Sequence, residues 1–195
     1  KELCDLLVVF GDDVIIFSDK NCEFPDTGDI LRDWCRWYKR AIKKSAVQVF
    51  GAERWIRAFP QQVFVDRECK TQLPLSLPDS SVCRIHRVVV ALGAKKRCIQ
   101  CFDDKGSGSM MLIPGTVGDA HCDPKLDCIP FTVGQIDPNR GFVHVFDDVT
   151  LDAILGELDT ISDFLSYLNK KEGLISAGQL LAATGEEDLL ACYLQ

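Results

Sequence analysis

LCDLLVVFGDDVIIFSDK, residues Leu3 to Lys20, decides the fold. Its two apolar runs, Leu6 to Phe10 and Val14 to Phe17, are rich in β-branched and aromatic residues and too short for helices, and Gly11-Asp12-Asp13 between them supplies turn chemistry. The stretch predicts a β-hairpin. Asp5 stands near the start of the first strand and Ser18-Asp19-Lys20 closes the second, so polar groups gather where an apolar strand pair ends. Alternation along a strand puts Ser18 and Lys20 on one face and Asp19 on the other.

Working outward, Asn21 to Asp29 reads as a loop with Pro25 and Gly28. Helical periodicity then runs from Ile30 to about Phe59, with Asp29 as N-cap and Pro60 as terminator. Leu31, Trp34, Tyr38, Ala41 and Ile42 form its apolar stripe, and Gly51 is expected to divide it in two. Gln62 to Asp66 (QVFVD), Cys83 to Gly93, Met110 to Pro114 and Phe142 to Phe146 read as strands, with Val88 to Ala91 suiting a buried central position. Leu151 to Leu158, a segment opened by Asp159 or Thr160 through Lys171, and Ala182 to Gln195 read as helices. The expected fold class is α/β, a mixed central sheet with flanking helices. Residues 1–146 would form the core and 147–195 an acidic helical segment packed on it.

An acid on one strand and x-x-Lys ending the next resembles the PD-(D/E)xK, or restriction-endonuclease-like, nuclease superfamily. The resemblance implies metal-dependent hydrolysis of DNA, in which carboxylates hold Mg²⁺ or Mn²⁺ and a lysine serves the attacking water. Asp5 takes the first acid position and Lys20 that of the lysine. Ser18 stands where a second acid is expected, a departure met in the superfamily by an acid moved to the following helix, here Asp33. Asp5, Lys20, Asp33 and Ser18 are therefore the implied catalytic group, with Asp5, Asp33 and the Asp19 backbone carbonyl as metal ligands. Gln48 is the implied polar residue on the following helix, and bacterial defence is a natural setting.

Net charge is −7 over 195 residues. The acids are nevertheless concentrated late, whereas Arg36, Lys39, Arg40, Lys43 and Lys44 crowd one helical stretch beside the acid-and-lysine site. That stripe suits a phosphate backbone, and Trp34, Trp37 or Trp55 could stack on bases, although core packing is expected for at least two of them. No apolar run is long enough for a membrane span and no secretory leader is visible, so a cytoplasmic protein without membrane contact is expected. The strand so near residue 1 suggests a longer natural chain.

Ten cysteines scattered among such segments read as reduced thiols. Cys98, Cys101, Cys122 and Cys128, with His121 as substitute, are the set that zinc would need, but the second pair is spaced wrongly for a zinc ribbon, and Cys98 and Cys101 read as strand residues. Asp147 and Asp148 read as helix-entry acids or metal ligands. Two other function classes stand beside the nuclease: an inactive nucleic-acid-binding or assembly module of the same fold, and a zinc-containing interaction domain. The apolar stripes of the last helices offer a surface for homo-oligomers.

Overall fold

The computed structural model describes residues 2–195. Strands β1 (Leu6–Phe10) and β2 (Asp13–Asn21) pair antiparallel, with Leu6 opposite Phe17 and Phe10 opposite Asp13. Only Gly11 and Asp12 are left for the turn, and Gly11 takes φ +58°, where a side chain would be strained. The chain then crosses one face of the sheet through α1 (Ile30–Tyr38), a π-helical segment (Lys39–Lys43) and α2 (Lys44–Ala58). It returns as β3 (Arg84–Leu92), parallel to β2. After α3 (Lys95–Cys101), β4 (Met111–Val117) and β5 (Thr132–Gln135) pair separately, and β6 (Val143–Phe146) joins β3 in parallel. The main sheet is mixed, in the order β1-β2-β3-β6.

Strand alternation divides the core into two layers. Val14, Ile16, Val89 and Ala91 point toward Trp34, Trp37, Ala41, Val49 and Ile56 of the first helices. Ile15, Val88, Val90 and Phe146 point the other way, onto α4 (Thr150–Glu157), α5 (Ile161–Ser176) and α6 (Glu186–Leu194) through Ile154, Phe164, Leu165, Leu168 and Leu190. Each Val, Leu, Ile or Phe side chain among them, fully buried, contributes about 1.5–3 kcal/mol. The apolar stripes of the last helices are thus spent on the sheet itself, which gains its second cover from residues beyond 146.

Three local expectations are corrected. The long helix is interrupted by the π segment at Lys39–Lys43, while Gly51 lies within α2, where buried Ala52 and Ile56 anchor the helix across it. QVFVD forms no strand: Phe64 makes one isolated bridge to Gln72, and both Phe64 and Val65 are exposed, so no sheet repays pairing them. Cys98 and Cys101 lie on α3, not on a strand.

Candidate active site

Asp5 lies just outside β1, with its N–H donating to the Phe17 carbonyl at 3.0 Å. Its Oδ2 accepts the Asp19 N–H at 2.8 Å and faces the Lys20 Nζ at 3.9 Å. Both side chains remain about 30% exposed, 30% for Lys20 and 27% for Asp5. In a strand the N–H and C=O of one residue point to the same side, so the Asp19 carbonyl also points toward the β1 edge, beside Asp5. Ser18 is fully buried and donates its hydroxyl to Gln48 Oε1 at 3.2 Å. Ser18 and Lys20 share the helix-covered face, about 6.5 Å apart along the strand. Four residues singled out by the sequence therefore meet at the end of the hairpin: Asp5, Ser18, Lys20 and Gln48.

Asp33 is placed differently. It sits in the first turn of α1, fully buried, and its two oxygens accept the Thr27 N–H at 2.7 Å and the Thr27 hydroxyl at 2.8 Å. Burial works against its charge, but the two Thr27 bonds and the Arg97 and Arg36 charges outweigh it and hold the carboxyl below the usual range. Among the described residues no hydrogen bond or ion pair joins Asp33 to Asp5 or Lys20. Asp33 ties down the loop leaving β2, while Asp29, its neighbour, caps the helix through the Arg32 N–H at 3.1 Å. Thr27 carried no signal in the sequence, because a loop hydroxyl becomes a partner only when the chain turns back.

Arg36, Lys39, Arg40, Lys43 and Lys44 are all exposed. Arg40 donates to the Glu23 carbonyl at 2.7 Å and Lys43 pairs with Asp119 at 3.0 Å. Trp34 and Trp37 are fully buried, donating to the His121 and Cys22 carbonyls, whereas Trp55 is 41% exposed.

The cysteines named for zinc do not converge. Cys98 donates to the Ser109 carbonyl, while Cys122 and Cys128 gather around Cys35 of α1. His121 is already engaged at both nitrogens, by the Gly118 carbonyl and the Gly134 N–H. Burial pushes the Cys128 thiol up to about 11 and the Cys98 thiol up to about 12, away from the thiolate a metal requires. Asp148 accepts the N–H groups of Gly93, Ala94 and Lys95, and Asp147 those of Met110, Val149 and Thr150, so both acids serve as backbone caps. Among the described residues no three His, Cys, Asp or Glu side chains are grouped to hold a metal ion. A cation at the hairpin would rely on the Asp5 carboxylate, the Asp19 carbonyl and solvent. No helix is long and apolar enough to cross a membrane. Compared with family models, curated proteins and solved structures, the chain matches none.

Proposed function

We propose that the chain is a Mg²⁺- or Mn²⁺-dependent phosphodiesterase acting on DNA, with a restriction-endonuclease-like core. The observation that carries this reading is the convergence of Asp5, Lys20 and the Asp19 backbone at the hairpin end, with Ser18 and Gln48 on the adjoining helix face. Among the described residues Asp5 Oδ1 makes no hydrogen bond, and Mg²⁺ ordinarily keeps several waters beside one or two carboxylates, so this small donor set fits a weakly held cation. When bound, such a cation polarises the phosphate and makes a bound water nucleophilic at neutral pH.

The chain's own groups do the remaining work. Lys20, half-open to solvent, orients the attacking water and offsets the charge that develops on phosphorus oxygens. The Asp19 N–H fixes the Asp5 carboxylate and leaves one oxygen free. Gln48 uses its carbonyl on Ser18, so its amide N–H₂ remains available to a phosphate. Arg36, Lys39, Arg40, Lys43 and Lys44 follow the backbone without reading bases. Asp33 holds the loop and is not a ligand in this arrangement.

The test is cleavage of labelled DNA by purified protein with Mg²⁺ or Mn²⁺. Cleavage should be lost with a chelator, in Lys20→Ala and in Asp5→Asn. Undiminished cutting by Lys20→Ala would overturn the mechanism. One observation favours a second reading, the inactive module: Ser18 is buried against Gln48 and supplies no second carboxylate. DNA binding without cutting under either metal selects that reading.

A further inference from the structure

Helix α2 has two flanks. One faces β3, where Glu53 holds the Arg87 guanidinium at 2.5 and 2.6 Å and Arg57 reaches the Cys83 carbonyl. The other reaches β2, where Gln48 meets Ser18. Helical spacing lines Lys44, Gln48, Gly51 and Trp55 along that second flank. On that side lie the edge strand β1, whose Leu7 and Val9 are half-buried on the same face, and the loop after α2, whose Gln62 carbonyl meets Trp55 and whose Val63, Leu73 and Leu77 pack into the same core layer. The row begins at the candidate site, where Gln48 meets Ser18, and ends at an exposed aromatic, Trp55.

The members of the row suit a nucleic-acid strand. Lys44 is exposed, as is Arg54 beside Trp55. At Gly51 an added Cβ would meet nothing within 4 Å, so the helix surface is low and open between Gln48 and Trp55. Trp55 is held in place although 41% exposed: its Nε1 donates to the Gln62 carbonyl at 2.9 Å and its ring lies 4.8 Å from that of Phe59, itself 46% exposed. A ring held in this way has already lost the freedom that stacking would cost it. Positive charge beside the row complements phosphates, and the ring complements a base whose face is free.

We infer that this flank is a track for single-stranded nucleic acid, with Trp55, supported by Phe59, as its base-stacking platform. The inference rests on the proposed nuclease reading and adds the form of the substrate. In a duplex the base faces are covered by one another, so a ring projecting from a helix finds a partner only on an unpaired strand. Trp55 lies about 10 Å along α2 from Gln48, which puts a stacked base a few nucleotides from the phosphate beside Lys20.

The protein reports on this site directly, because Trp34 and Trp37 are fully buried and Trp55 alone of the three tryptophans is exposed. Short oligothymidylate should quench tryptophan emission, and labelled oligothymidylate should bind Trp55→Ala roughly tenfold more weakly. Affinity for a duplex of equal length should change little, and Trp55→Phe should recover most single-strand binding. Unchanged single-strand affinity in Trp55→Ala, or saturation without quenching, overturns the inference. If cleavage still depends on metal and Lys20 in that case, the nuclease reading survives. Absence of both binding and cleavage removes both.

Discussion

Two lysine–carboxylate pairs lie on opposite faces of the same sheet. Lys20 and Asp5 stand 3.9 Å apart at the hairpin end, with side chains 30% and 27% exposed. Lys171 and Glu186 are 2.6 Å apart under α5 and α6, 1% and 5% exposed. The buried pair is saturated: Glu186 also accepts the Tyr167 hydroxyl, and the Lys171 ammonium lies over the rings of Phe142 and Phe146. The exposed pair is loose, with one carboxylate oxygen unused among the described residues. A charge taken fully from water must be matched completely, so it serves to fix α6 to α5, whereas a half-solvated charge can still change partners. The second pair is placed for structure; on the proposed reading the first is the one that serves chemistry.

The sharpest way to break this contrast is to remove one partner from each pair. Glu186→Ala leaves Lys171 charged and buried, and unfolding in urea should show a loss of about 3–5 kcal/mol. Replacing both members, as Lys171→Met with Glu186→Leu, should restore much of it, because no uncompensated charge remains. Lys20→Ala should behave in the opposite manner, lowering cleavage by about a hundredfold or more. Its stability should change by less than about 1 kcal/mol, as for other exposed pairs. Equal stability losses in Glu186→Ala and Lys20→Ala would show that both pairs are structural.

These two regions were unequally legible in the sequence. The hairpin was readable because its signal is local: Leu6 to Phe10 and Val14 to Phe17 are adjacent, β-rich and separated by a turn glycine. Ser18 and Lys20 followed from alternation, and β3 from its continuous apolar run. Periodicity identifies the buried face of a helix but not its distant partner. Nothing in the sequence therefore marks Lys171 and Glu186 as partners, although the fold closes them over one another. Asp33 is the mirror case: an acid at the right distance for a migrated ligand, but one whose oxygens a loop threonine already occupies. QVFVD misled because strand propensity in so short a run depends on a neighbour, and no sheet edge lies alongside it.

A pH series sharpens the contrast on the buried side. His144 is fully buried on β6, and among the described residues neither ring nitrogen has a hydrogen-bond partner, although Glu172 comes within 3.9 Å. Burial, followed by the Lys171, His86 and Arg87 charges, holds its pKa well below that of a free imidazole. The unfolded chain takes up this proton near pH 6.5 whereas the folded chain does not. The associated stability is therefore complete above that pH and is lost as pH falls from about 6.5 toward the lowered folded value. His121, likewise lowered chiefly by burial, adds to the same slope. Urea denaturation of His144→Leu should show a shallower decline over that interval. An unchanged slope would show that His144 does not carry its share.

The smallest expected effect lies on the exposed side and tests whether the basic helix works as a track. Lys43 pairs with Asp119 at 3.0 Å, but the two side chains are 51% and 81% exposed, so Lys43→Ala should cost only a few tenths of a kcal/mol in stability. Lys39 is exposed and makes no ion pair among the described residues, although its charge is felt at Asp119. For DNA binding measured against salt, each ammonium that contacts a phosphate contributes roughly one released counterion to the slope. Lys39→Ala should therefore lower the salt slope by about one, while Lys43→Ala lowers it less because Asp119 already competes for that charge. Equal slopes for both variants and the parent protein would show that this face is solvated only, and would leave Lys20 and Asp5 without an electrostatic approach for their substrate.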